Sequence, residues 1–184
     1  MSTAMSYDAV VLYGPPGSGK DTITDILLKE DAQFVRHRRL KVGTDIGARY
    51  RSASVEDLDK LEKLGELIFR NERYGHVYAF VRRHIEHDVR LGVPIFHVGQ
   101  VAGVRALKSH PLRWFTAALW CSRATTAQRV EQRGSSDIGR RLAAWDETEL
   151  DLQHAVEGDF DIRLDTDAMT AQEAASTILT HFSS

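Results

Sequence analysis

The stretch Gly14-Pro15-Pro16-Gly17-Ser18-Gly19-Lys20-Asp21-Thr22 has the residue types and spacing to hold phosphate. Its glycines let the backbone curl until successive N–H groups point inward at an anion. A helix that follows directly adds the positive end of its dipole. A lysine placed after Gly-x4-Gly reaches the terminal phosphates of a nucleotide. Gly14, Gly17, Ser18, Gly19 and Lys20 are therefore the candidate nucleotide cradle. Asp21 stands where a hydroxyl residue is usual, and Thr22 follows it; both count with the cradle and as candidate metal residues. Asp21 is the acid nearest to an expected Mg2+, where it would orient a metal-bound water or cap the helix. The rival reading is a glycine-rich turn without a ligand.

This loop works only between a strand and a helix, and both are legible. The apolar run at 10–13 stops at Gly14, as a buried strand would. Residues 20–29 put Ile23, Ile26 and Leu27 on one helical face. Further along, strands at 93–98, 114–120 and 161–164 alternate with helices at 81–91, 101–108, 124–133, 138–155 and 171–182. Ser54 to Asp57 resembles a capping box with Asp in the acidic place, and Thr170 to Glu173 is a full one. Residues 67–80 read as a strand pair turning at Tyr74-Gly75. The alternation implies an α/β fold with a parallel sheet covered by helices on both faces. Residues 34–80 are an excursion from it, rich in Arg36, Arg38, Arg39, Lys41, Arg49 and Arg51.

Length and composition narrow the class. The 184 residues suit one domain, with 42% apolar residues to build a core. Lys and Arg number 24 against 26 Asp and Glu, so the chain is no general polyanion binder, and no aromatic stacking pattern accompanies the basic segment. No apolar run approaches the ~18 residues of a membrane helix. The N-terminus lacks a signal-peptide pattern. The lone Cys121 permits no internal disulfide, which fits a cytoplasmic protein.

With these motifs in place, the chain resembles the guanylate-kinase-like P-loop nucleotide kinases over residues 8–182. The resemblance implies a P-loop NTPase fold, ATP and Mg2+ as donor and metal, and a small-molecule phosphoryl acceptor. It implies a single kinase domain over 1–184, with acceptor binding in about 34–80 and a lid in about 133–141. Arg38, Lys41, Tyr50 and Tyr78 match its acceptor-phosphate site. Arg133 and Arg141 match lid arginines that act with Lys20 on the transferring phosphoryl group, with Arg140 an alternative to Arg141. Arg129, Asp165 and Thr166 fall where the adenine is held.

The departures from the family pattern bear on the acceptor. The guanine-reading positions hold Thr44, Phe69 and Phe80, and Arg49 replaces the aspartate of a Gly-x-Asp-Tyr motif. The strand-end acids are replaced at His97 and Gly99. Guanine donors left unpaired against phenylalanine would cost about 1–3 kcal/mol each, so ordinary GMP is expected to be a poor acceptor. A phosphorylated sugar or a modified nucleotide is the alternative. Two other readings stay open: a non-catalytic binding module of the same fold, and a P-loop ATPase with a nucleic-acid partner. The basic segment could also be a solvated face, His97 a structural hydrogen-bonded residue, and Arg133 a helix-terminal cation. Oligomeric state is not legible.

Overall fold

The computed structural model describes residues 7–43 and 47–183. Strand β1 (Ala9–Tyr13) is central in a five-stranded parallel sheet, so all five of its residues are buried. Val10 and Leu12 point to one face, and Ala9, Val11 and Tyr13 to the other. On the first face lie α1 (Lys20–Glu30) and α7 (Ala171–Phe182), packed through Ile23, Leu27, Ala174, Ile178 and Phe182. On the second lie α3 (Arg82–Leu91) and α4 (Val101–Lys108), through Ile85, Val101, Val104 and Leu107. The remaining strands are β2 (Phe34–Arg36), β7 (Val93–Val98), β8 (Trp114–Trp120) and β9 (Ile162–Asp165), in the order β2-β7-β1-β8-β9. The expected α/β architecture, with helices on both faces, is the one observed.

The excursion is narrower at its start than the sequence implies. Residues 34–36 pair in parallel with β7 and belong to the main sheet. Beyond them a second sheet forms from β3 (Leu40–Val42), β4 (Arg51–Ala53), β5 (Leu67–Arg73) and β6 (His76–Val81), in the order β4-β3-β6-β5. Its three-residue strands β3 and β4 are too short to show a period-two pattern. Helix α2 (Val55–Lys63) covers one face, burying Leu58 and Leu61 against Leu40, Ala79 and Val81. Its capping box forms with Asp57: Asp57 N–H donates to Ser54 Oγ at 3.1 Å, and the carboxylate accepts from Ser54 N–H. The opposite face of this small sheet turns toward the end of β1.

A buried network fastens the small sheet to the large one. The His37 ring stacks on Phe96 at 4.2 Å, and its Nδ1 lies 2.8 Å from Asp88. Arg51 donates to the other Asp88 oxygen at 2.8 Å. Helices α5 (Arg123–Gln132) and α6 (Ile138–Leu152) close the far side, with Tyr13 hydroxyl donating to Asp151 at 3.1 Å. Among the described residues, no helix is long and apolar enough to cross a membrane.

Candidate functional site

The loop between β1 and α1 is shaped by glycines. Gly14 has φ 154°, and a Cβ there would stand 2.2 Å from the Leu119 carbonyl oxygen. Gly19 caps α1 in the left-handed region at φ 90°. Lys20 Nζ donates to the carbonyls of Gly14 and Pro15 at 2.6 and 2.8 Å and to Ser18 Oγ at 3.2 Å. Burial pushes its pKa down to about 8, against the pull of Asp21.

Arg129 braces the loop from outside. It donates to Gly17 O at 2.9 Å and to Thr166 O at 2.6 Å. A cavity opens beside these contacts, with Ile23, Met169 and Ala171 as its apolar wall and Thr22, Arg129 and Thr166 as its polar one. Asp165 lies outside this lining and is exposed, its carboxylate accepting Asp167 N–H at 2.9 Å. Thr166, one residue on, is the wall residue, because consecutive positions at the end of β9 face opposite ways.

A second cleft runs from the loop to the small sheet. Its lining includes Gly14, Gly17, Ser18, Gly19, Lys20 and Asp21 from the loop, with His97 and Gly99 from the end of β7. Asn71 and Arg73 come from β5, Arg39, Tyr50 and Tyr74 from residues flanking the strands of the small sheet, Arg133 from the end of α5 and Arg141 from the start of α6. Lys20, Arg133 and Arg141 are thus brought to one cleft. Arg133 lines both cavities. Arg141 is held by Asp137 at 2.8 Å, whereas Arg140 lines a different, outer groove.

Of Arg38, Lys41, Tyr50 and Tyr78, only Tyr50 lines this cleft. Arg38 is exposed and lines a groove on the α2 side, while its neighbour Arg39 lines the cleft. Leu40 must pack against α2, so Arg38 shares its outward face and Arg39 and Lys41 share the inward one. The Arg39 guanidinium lies 4.3 Å from the Tyr78 ring centroid. Lys41 is buried, 5.4 Å from the Tyr50 ring centroid and 5.9 Å from that of Tyr78. Tyr50 and Tyr78 stand 5.6 Å apart, with Tyr78 buried and its hydroxyl pushed up to about 12 by burial.

Of the guanine-reading positions, Thr44 lies outside the described residues. Phe80 is fully buried in the core beside Phe96. Phe69 is half-buried against Gly103, where an added Cβ would stand 3.0 Å from its ring. Neither ring offers a polar atom to a base.

Two departures in the motifs meet in space. Asp21 and Arg49 each break the expected pattern, and they form an ion pair at 2.7 Å. Arg36 joins Asp21 at 3.3 Å. Burial pushes the Asp21 carboxyl up, but His97, Arg49, Arg36 and Lys20 together outweigh it and hold it below the ordinary range. His97 Nε2 lies 2.7 Å from Thr24 Oγ1, and Nδ1 lies 3.8 Å from Asp21. Burial, reinforced by Lys20, Arg36 and Arg39, pushes its pKa down to about 3 despite Asp21. The ring is hydrogen-bonded to Thr24.

Asp21 and Thr22 are adjacent at the start of α1. They sit about 100° apart on α1 and line different cavities. Among the described residues no three His, Cys, Asp or Glu side chains cluster to hold a metal. Arg39, Asn71, Arg73 and Tyr74 are cleft residues that the sequence reading missed. The Tyr74-Gly75 hairpin turn, with both residues at positive φ, was the available signal.

Comparison with known proteins gives two matches of note. A guanylate kinase of Streptomyces coelicolor is 29% identical over 160 residues, covering 82% of this chain and 79% of that protein. The crystal structure of a guanylate kinase from Anaplasma phagocytophilum superposes with a TM-score of 0.63 at 18% identity, covering 98% of this chain and 87% of that one. No family model matches.

Proposed function

We propose that this guanylate-kinase-like P-loop protein is an ATP-dependent phosphotransferase, working as a single domain over residues 1–184 on a small anionic acceptor. A nucleotide or a sugar phosphate is the class intended. The reading is carried by one observation: Lys20 of the phosphate loop shares a continuous cleft with Arg39, Arg133 and Arg141. The likeness to guanylate kinases supports it. The intact loop disfavours a purely non-catalytic module. The lone, buried Cys121 favours a cytoplasmic setting.

Phosphoryl transfer needs positioning and charge neutralisation more than covalent chemistry. Lys20 would exchange its loop carbonyls for the β- and γ-phosphate oxygens of ATP. Arg129 and Thr166, with the apolar wall of Ile23 and Met169, would hold the base. An acceptor oxygen attacks the γ-phosphorus, the bond to the β–γ bridging oxygen breaks, and ADP leaves. Arg133 and Arg141 would neutralise charge building on the equatorial oxygens. Bound Mg2+ would supply further neutralisation of the β- and γ-oxygens. It needs few protein ligands, because phosphates and waters complete its shell. Asp21, the one carboxylate among the described residues that line the cleft, fits that role.

Arg39, with Lys41, Tyr50 and Tyr78 behind it, would receive the acceptor anion. GMP is expected to be a poor acceptor, because Phe69 and Phe80 present no partner for guanine N–H groups. The test is a panel of nucleoside monophosphates and sugar phosphates with ATP and Mg2+, read as ADP formed only when an acceptor is present. GMP turnover at a kcat/KM of about 10⁴ M⁻¹s⁻¹ or above would overturn the exclusion of GMP. Absence of acceptor-dependent ADP across the panel would overturn the kinase reading.

A further inference from the structure

Strand β5 carries a polar pair on its cleft-facing side that the proposed chemistry leaves unused. Asn71 and Arg73 are two residues apart, so they share that face with Phe69, and both line the cleft. The Asn71 amide makes no hydrogen bond among the described residues, and its Oδ1 is buried without a partner. Arg73 is 11% exposed and only loosely engaged. Nη1 reaches Thr148 Oγ1 and Nη2 reaches the Gly99 carbonyl, both at 3.3 Å, and Glu147 stands at 3.5 Å. Its Nε is buried with no partner.

Unmade bonds of this kind are costly in a folded protein, so they need a reason. The position of Arg73 has one. Gly99 ends β7 without a side chain, and the guanidinium packs into the space, so that a Cβ on Gly99 would stand 3.2 Å from Nη1. A positive charge thereby sits at the sheet end, a few residues from the phosphate loop in space. The next residue, Tyr74, is the one non-glycine at positive φ among the described residues. That conformation is unfavourable for a side chain of its size, and it keeps the ring in the cleft lining with Arg141 5.9 Å from its centroid.

We infer that Asn71 and Arg73 are the specificity-determining pair of the acceptor site. Arg73 leaves its long contacts to Gly99 and Thr148 and takes an anionic oxygen of the acceptor. Asn71 turns its free amide to a hydroxyl on the same molecule, which can both donate and accept. The acceptor class is then a hydroxyl-bearing phosphorylated compound. The inference rests on the acceptor cleft proposed above, but its test is equilibrium binding, which is scored whether or not phosphoryl transfer occurs.

The experiment titrates three probes, inorganic phosphate, ribose 5-phosphate and GMP, into the protein with saturating ADP and Mg2+ in the phosphate loop. Arg73→Ala is expected to weaken every probe by about 10–100-fold, the range for a charge-assisted contact. Arg73→Lys should recover part of that loss. Asn71→Ala should weaken ribose 5-phosphate and GMP about 5–10-fold and leave inorganic phosphate unchanged. ADP affinity should stay within about twofold in all three variants. Should Arg73→Ala fold poorly, Arg73→Gln keeps an amide in the space and removes the charge, with the same loss expected. The pair is refuted if wild-type protein binds none of the probes. It is equally refuted if both positions tolerate substitution within twofold, or if Asn71→Ala weakens inorganic phosphate as much as ribose 5-phosphate.

Discussion

The two ends of the cleft are built on different principles. At the loop end, the cations are tied to backbone: Lys20 to Gly14 and Pro15, Arg129 to Gly17 and Thr166. The geometry is local, and three glycines at positive φ fix it within six residues. At the small-sheet end, the cations are held by contacts between residues distant in sequence. Arg39 lies on Tyr78, Arg73 packs on Gly99, and Arg49 reaches across to Asp21. A loop whose binding atoms are main-chain N–H groups tolerates little change in sequence. A sheet face read through side chains can change its ligand by exchanging them. The difference teaches which end of the cleft is fixed by local backbone and which depends on residues brought together from distant parts of the chain.

The sharpest way to break that comparison is at Lys20. Lys20→Ala removes the charge aimed at the terminal phosphates and should nearly abolish transfer, a loss of about 10³-fold or more. The variant should still fold, because Lys20 belongs to none of the three hydrophobic clusters. Acceptor-dependent ADP formation by folded Lys20→Ala at the wild-type rate would mean that the loop end is not the catalytic end.

The next effect in size contrasts two adjacent arginines. Arg39→Ala should lower kcat/KM for the acceptor by about 10–100-fold and leave the Kd for ATP nearly unchanged. Arg38→Ala, on the outer face, should change either ligand by less than about 0.5 kcal/mol. Steady-state kinetics with ATP and acceptor varied separately distinguishes the two. Equal effects at both positions would return the basic segment to a solvated charged face.

That pair of neighbours also marks how far the sequence could be read. The phosphate loop was legible because its function is written in consecutive residues between a strand and a helix. The helices and the strands of the large sheet were legible too, since capping residues and long apolar runs mark their ends. Arg39 was not, because the choice between it and Arg38 depends on Leu40 having to pack under α2, a tertiary demand. Arg73 was further out of reach. Its place is made by a missing side chain at Gly99, 26 residues away, which neither residue signals alone. Asp21 and Arg49 stand in the sequence as separate anomalies. Their opposite charges were the clue that they belong together.

A smaller, electrostatic effect belongs to the small-sheet end. His84 on α3 has its pKa pushed down to about 4, chiefly by burial and then by Arg51. The unfolded chain would titrate near 6.5. Between these values the unfolded state binds more protons, so stability should rise with pH across this window and fall as pH drops toward 4. The unscreened figure is about 1.4 kcal/mol per unit. Solvent screening at this half-buried ring brings the whole contribution to about 1–2 kcal/mol. Chemical denaturation of wild type and His84→Gln at pH 7 and pH 4.5 measures it. The wild type should lose more stability than the variant, and parallel losses would remove His84 from the account.

The smallest effect probes the contact that joins the two ends. Arg49 and Asp21 pair at 2.7 Å, but their side chains are 54% and 39% exposed. Water therefore screens the attraction, and the coupling should be about 0.2–1 kcal/mol. Asp21 also contacts Arg36 and His97, so removing Asp21 alone disturbs more than one pair. A double-mutant cycle with Arg49→Ala and Asp21→Asn isolates the shared part. Its salt dependence is a second readout: the coupling should shrink between low salt and about 1 M, where the Debye length falls to roughly 3 Å. If the pair links the two ends of the cleft, Arg49→Ala should also make acceptor affinity less sensitive to whether ATP is bound, because the ion pair is one of the direct contacts between α1 and the 34–80 segment. A coupling near zero with unchanged acceptor–ATP linkage would leave the two departures side by side in space without a shared role.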